Sequence, residues 1–243
     1  MPKLRVWVLS ALREVYVSPH VGRGHDFYHI ERMVARGSQI REHLVFDLEE
    51  YGAAVWLHNV DRCAALKGDV VACGGLPRYL LALLEQSQFT GDAKGRIVDA
   101  VLQHSKKDDE PGDSPLLTAL RVADKLDRFN PTGIVEAAAS WGHLPIFDPE
   151  HPFGYDSSEP GERGAAGHKS IYQTYYRVLE WVAMLPADWA RELIPRQHLR
   201  LFITFLRLLG AQAADQFHVE DRAEEDIRRA LGSYYDWMLQ YIA

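Results

Sequence analysis

Apolar residues recur along most of this chain at intervals of three and four, the period of a helix with one buried face. The first run is Leu4 to Tyr16, carried by Leu4, Val8, Leu12 and Val15 and broken by Ser18, Pro19, Gly22 and Gly24. The period returns in His29 to Leu44 through Ile30, Met33, Val34 and Ile40. Leu48 to Val60 is apolar on most sides and therefore predicts a central helix. Residues 61 to 75 predict a loop. Helical runs resume at Leu76 to Ser87, Ala93 to Gln103 and Pro115 to Phe129, separated by punctuation such as Thr90-Gly91-Asp92 and Asp108 to Asp113. Between Trp141 and Gly167 prolines, glycines and scattered acids show no period, which predicts a long irregular surface loop or lid. His168 to Leu185, Trp189 to Gly210 and Glu220 to Ile242 predict three closing helices, the last with acidic residues at its positive end.

Strand alternation is almost absent, so the pattern predicts an all-α fold: a single domain over 1–243 of about eight to ten helices. Its core would span about 20–185, with the loop at 141–167 and closing helices over 189–242. At 243 residues a compact domain buries enough surface to need neither metal nor disulfide for stability. Any metal would therefore serve chemistry. Lys and Arg number 27 against 34 Asp and Glu, a formal charge of −7, so duplex nucleic acid and anionic membranes are not expected partners. The most apolar window, Leu199 to Ala214, is interrupted by Arg200, Arg207 and Gln212, and predicts no membrane span. The two cysteines, Cys63 and Cys73, form no CxxC pair, and the N-terminus carries no secretory pattern, so the cytoplasm is the expected address.

Three polar clusters interrupt apolar helices: His25-Asp26-x-x-His29-x-x-Arg32, His58-Asn59-x-Asp61 and Asp124-Lys125-x-Asp127. Burying an imidazole or carboxylate without a partner costs several kcal/mol. Groups on three helices are cheapest to bury when they share one cation or one hydrogen-bond network. The contexts match this: Ala53 to Asn59 is a small, apolar helix ending in two neighbouring polar residues, and Leu120 to Asp127 repeats the form. The aromatic group Tyr172, Tyr175, Tyr176 and Trp181 fits a core at helical spacing, and His143, His151 and His168 fit solvent-exposed loop positions.

Taken in order, these segments resemble the HD-domain metal-dependent phosphohydrolases. His-Asp-Phe-Tyr-His-Ile-Glu-Arg-Met-Val (25 to 34) is similar to the first element of that family, Ala-Val-Trp-Leu-His-Asn-Val (54 to 60) to its His-Asp pair, and Ala-Asp-Lys-Leu-Asp-Arg-Phe (123 to 129) to its later Asp element. Ile97 to Ser105 and Ser170 to Leu185 resemble further helices of small bacterial members, so the likeness spans roughly residues 20 to 185. It implies a site of His29, His58, Asn59 and Asp124 for one divalent transition ion. Iron or manganese suits such a mixed N/O set best, and nickel, cobalt, zinc and magnesium are compatible. The implied reaction is hydrolysis of a phosphate ester or anhydride by a metal-activated water, with a small phosphorylated molecule such as a nucleotide as partner. Lys125 is the expected phosphate clamp and matches a substrate-contacting position of some members. Arg32 and His25 come next, and His104 can protonate a leaving group or contact phosphate. Asp26 and Asp127 are expected to orient a ligating ring or to serve structure, Asp127 by pairing with Arg128 or Arg121.

One departure stands out: Asn59 occupies the place of the pair's Asp. A carbonyl oxygen still coordinates a hard cation but brings no charge, which lowers metal affinity. Asp61 would restore the charge if the helix end bends, although on a regular helix it points about 200° away from Asn59. Three readings follow: a phosphohydrolase, a catalytically weakened relative that binds a nucleotide or other phosphate or acts as a regulatory module, and an all-α interaction protein whose histidines form core networks. A homo-oligomer is compatible with each.

Overall fold

The computed structural model describes residues 4, 6–17, 25–106, 109–154 and 169–243. Among them there is no strand, and thirteen α-helices are present: α1 (Val6–Val17), α2 (Phe27–Arg41), α3 (Leu48–Leu57), α4 (Lys67–Ala72), α5 (Leu76–Glu85), α6 (Gly91–Gln103), α7 (Pro115–Leu126), α8 (Pro131–Ser140), α9 (Ile171–Ala183), α10 (Asp188–Glu192), α11 (Arg196–Phe217), α12 (Ala223–Leu231) and α13 (Tyr235–Ile242). The expected all-α class holds, but the count of eight to ten helices is too low. The chain divides into two compact units, Met1–Asp127 and Arg128–Ala243.

In the first unit, α2, α3, α6 and α7 pack against one another, with α5 against α6. Their start points are set by side-chain caps that satisfy otherwise orphaned amides: Asp26 for α2, Asp47 for α3, Thr90 for α6 and Ser114, followed by Pro115, for α7. α3 is the central element, as its pattern predicts. Tyr51, Ala53, Ala54, Val55 and Leu57 are all buried. The Tyr51 hydroxyl donates to the Met33 carbonyl at 2.6 Å, tying α3 to α2. Residues 61 to 75 depart from the expected loop, since they hold two short 3-10 turns and α4. These pieces are too short to leave a periodic apolar signal.

The second unit centres on α9, which packs against α8, α11 and α12. Tyr172, Tyr175 and Tyr176 are core residues, and Trp181 is half-buried. Two expected helices are divided. Pro195 separates α10 from α11, and Gly232, at φ 54°, separates α12 from the turn leading into α13. The described part of the expected lid, residues 141–154, is not free of this unit. Phe147 and Phe153 are buried, and the amides of Ile171 and Tyr172 donate to the carbonyls of Pro145 and Ile146. His143 is exposed and His151 half-buried, while His168 and the rest of the loop lie outside the described residues. No described helix is long and apolar enough to cross a membrane.

Candidate metal centre

Helix ends of the first unit converge on one point. His29 lies in the first turn of α2, His58 is the C-cap of α3, His104 the C-cap of α6, and Asp124 and Asp127 belong to the last turn and C-cap of α7. The C-terminal ends of three helices carry partial negative charge, which favours a cation there.

The tautomer of each ring is set by what its Nδ1 meets. His58 Nδ1–H donates to the Val55 carbonyl three residues back at 2.6 Å, and His104 does the same to Val101 at 2.6 Å. His29 Nδ1 faces a carboxylate oxygen of Asp127 at 2.7 Å, again as donor. With the proton on Nδ1, each Nε2 carries a bare lone pair. Those of His29 and His58 lie 3.3 Å apart, and His29 Nε2 is 3.5 Å from Asp124 Oδ1. One ligand atom from each of His29, His58 and Asp124 falls within 4.8 Å of the others, and among the described residues this is the group able to hold an ion. Two imidazole nitrogens bound to one first-row ion at ~2.1 Å lie roughly 3.0–3.4 Å apart, so the observed spacing is that of a shared ligand pair. Both rings are fully buried, whereas the Asp124 side chain is 27% exposed and opens the cluster to solvent.

Burial first, and then the neighbouring rings of His104 and His29, push His58 well below the ordinary imidazole range, so it is neutral and available as a ligand at neutral pH. Asp127 behaves in the opposite sense. Burial raises its pKa, but the bonds from His29 and Arg32 outweigh that, and it stays ionised below the ordinary carboxylate range. Arg32 grips it with two bonds, Nε to Oδ1 at 2.7 Å and Nη2 to Oδ2 at 2.9 Å. Of the partners expected for Asp127, Arg121 pairs with Asp109 and Asp113, and Arg128 with Glu136. Asp127 therefore orients His29, and Arg32 orients Asp127.

Asn59 is buried beside the cluster. Its Nδ2 lies 2.5 Å from His58 Nε2 and 3.1 Å from His25 Nδ1, and its Oδ1 is buried without a hydrogen-bond partner. The donor set fits a divalent ion on these grounds: two neutral rings with converging lone pairs, one carboxylate, and one orphaned amide oxygen. A single proton shared between the two Nε2 atoms would relieve the ring pair but would leave Asn59 Oδ1 unpaired.

The other expected site residues are placed less uniformly. The His104 ring stands edge-on to His58 at 5.2 Å, and the His25 ring edge-on to His29 at 5.7 Å. Asp26 serves structure as the cap of α2, accepting from the His29 amide N–H at 2.9 Å. Asp61 is exposed on the 3-10 turn after α3 and is not in the ion-holding group. Lys125 is buried next to Asp124, on the face about 100° further round α7. Arg62 is an unanticipated member. Its guanidinium reaches His25 Nε2 at 2.7 Å, a contact made by the tight turn after Asn59 and invisible to helical periodicity.

No family model matches this chain, and no curated protein matches it. Solved structures are similar to it, two of them as follows. A protein of Lactobacillus plantarum aligns with a TM-score of 0.66 at 20% identity, over 86% of this chain and 98% of its own. YpgQ of Bacillus subtilis, solved in complex with ADP, aligns with a TM-score of 0.53 at 18% identity, over 84% of this chain and 96% of its own. At these identities the likeness is one of fold.

Proposed function

We propose that the chain is a metal-dependent phosphohydrolase of the HD-domain type, acting on a phosphate ester or anhydride, with a nucleotide as the substrate class. The observation that carries the reading is the convergence of His29 and His58 Nε2 on Asp124, with both rings locked in the tautomer that exposes a lone pair. ADP bound to the structurally similar YpgQ supports a nucleotide as ligand. A divalent ion held by His29, His58, Asp124 and the Asn59 oxygen supplies Lewis acidity toward water and a phosphoryl oxygen.

The protein's own groups divide the remaining work. Asp127, held by Arg32, keeps the His29 proton on Nδ1 and so keeps Nε2 aimed at the site. The Val101 carbonyl holds the His104 proton on Nδ1, so that its bare Nε2, on a ring edge-on to His58, would take a proton from the attacking water and return it to the leaving oxygen. Lys125, next to Asp124, is assigned to phosphate charge. Arg32 is assigned to positioning, since two of its nitrogens serve Asp127.

A second reading rests on Asn59. With two neutral rings and one carboxylate, the site holds an ion less tightly than a two-carboxylate set, and the same pocket then serves as a nucleotide-binding module. Elemental analysis of protein purified without chelator, beside His58→Ala, tests the first reading. It expects near-stoichiometric transition metal in the parent, loss in the variant, and phosphate release from a nucleoside phosphate panel only with the loaded parent. Metal content that is equal in both proteins refutes the site. ADP binding without turnover in the loaded parent selects the second reading.

A further inference from the structure

Donor and acceptor roles around Asn59 do not close as a simple network. A guanidinium only donates, so at 2.7 Å His25 Nε2 must accept from Arg62. A neutral His25 that accepts at Nε2 carries its proton on Nδ1. That Nδ1–H faces the Asn59 amide at 3.1 Å and calls for an acceptor, and the only acceptor in an amide is its oxygen. The same amide position lies 2.5 Å from His58 Nε2, whose lone pair is bare because Nδ1–H is bound to Val55. An amide oxygen and a bare imidazole nitrogen at that separation repel unless they share a cation. In the orientation the structure records, the amide nitrogen caps His58, Oδ1 is left buried and unpaired, and two N–H groups oppose each other at His25; exchanging the two nearly isosteric amide atoms ends the conflict at His25 and sets the oxygen beside His58 Nε2.

On the reading of the cluster as a metal site, we propose that Arg62 and His25 are positioning residues for the Asn59 amide: Arg62 fixes the His25 tautomer, and His25 Nδ1–H turns the Asn59 oxygen toward the ion. The relay gives a neutral residue one defined ligand atom at a position where a carboxylate would need no such help, since both of its oxygens accept. It links an exposed arginine on the turn after α3 to the buried rings of His58 and His29.

The proposal makes a prediction opposite in sign to simple electrostatics. Arg62 is a positive charge near a cation site, so its removal by charge alone tightens metal binding. Through the relay, its removal loosens it. The experiment is calorimetric and absorbance titration of chelator-treated protein with Co2+ alone, on the parent, Arg62→Ala, Arg62→Lys, His25→Ala, Asn59→Asp and the double variant Arg62→Ala/Asn59→Asp. Arg62→Ala and His25→Ala are expected to weaken Co2+ binding by about 10- to 100-fold, the range for partners behind a metal ligand. Arg62→Lys, which retains a donor to His25 Nε2, is expected to stay near the parent. In the Asn59→Asp background the effect of Arg62→Ala is expected to vanish or turn into a modest gain. Unchanged or tighter binding by Arg62→Ala overturns the relay, and so does a loss that is equal in the parent and Asn59→Asp backgrounds. Uptake by Asn59→Asp with none by the parent also overturns the relay while leaving the site. Uptake by neither protein removes the metal reading itself, and the relay with it.

Discussion

Replacing Asp127 by Asn changes one atom's chemistry and almost no volume, so its cost reports the charge at the back of His29. Asp127 accepts three charge-assisted bonds: from His29 Nδ1 at 2.7 Å, from Arg32 Nε at 2.7 Å and from Arg32 Nη2 at 2.9 Å. An amide has one oxygen. Its better orientation keeps that oxygen on His29 and Nη2 and turns N–H against Arg32 Nε. One charge-assisted bond worth ~1.5–3 kcal/mol is then lost, and two fall to about half their strength. Breaking a fully buried pair costs roughly 3–5 kcal/mol. The Arg32 side chain is 29% exposed and can recover part of this in water, which places the expected loss near ~3 kcal/mol. Urea unfolding at pH 7.5, followed by circular dichroism with the slope held common, measures it. Asp127→Asn is also expected to lower metal affinity by about 10- to 100-fold, because His29 loses its orienting acceptor. A stability loss below about 1 kcal/mol, with unchanged metal affinity, would refute an ionised Asp127 locking the His29 tautomer.

Two further outcomes are expected. His58 is held neutral by burial and by its neighbouring rings, and in the unfolded chain it titrates near 6.5, so its contribution is complete above that pH and is lost on acidification until the folded-state pKa is passed. Unfolding free energies from urea at pH 7.5, 6.5 and 5.5 should change little above pH 6.5 and fall below it with a slope of up to ~1.4 kcal/mol per pH unit that His58→Gln flattens; an identical slope in the variant would count against the assignment. In the second unit, buried Arg191 donates to the carbonyls of Val182, Ala183 and Leu185 at the end of α9 and stacks on Tyr234, so Arg191→Ala should cost about 3–5 kcal/mol in urea, with little recovery by Lys, which cannot form the fork.

How far the chain can be read from its residues follows from what each feature leaves in the pattern. α3, α6 and α7 are legible because about three turns of apolar residues follow Asp47, Thr90 and Ser114, whose side chains cap them. α4 and α10 are not, since six and five residues complete too few turns to fix a face. α8 also escapes notice: its alanine-rich stretch buries Gly133, Glu136 and Ala137 and shows no apolar stripe. The split at Pro195 lies inside an otherwise continuous run, and only the fixed φ and missing N–H of that residue argue against one helix.

The same logic separates what is visible of the site from what is not. His29, His58 and Asp124 can be grouped from the residues alone because a polar residue on an otherwise apolar helix is costly by itself, and three such residues lower that cost by meeting. The partners behind them carry no comparable signal. Arg32 and Asp127 lie 95 positions apart, and either could pair with many surface charges. Their choice of each other depends on α2 and α7 packing side by side. Arg62 is harder still, because a 3-10 turn of three residues decides whether it faces water or His25. Ligand-type residues are therefore declared by their conflict with the surrounding hydrophobic pattern, whereas the groups that orient them sit on amphipathic or exposed positions where no conflict arises. For this chain that asymmetry matters most at Asn59, a residue whose usefulness as a ligand depends on which of two nearly isosteric atoms its neighbours turn inward.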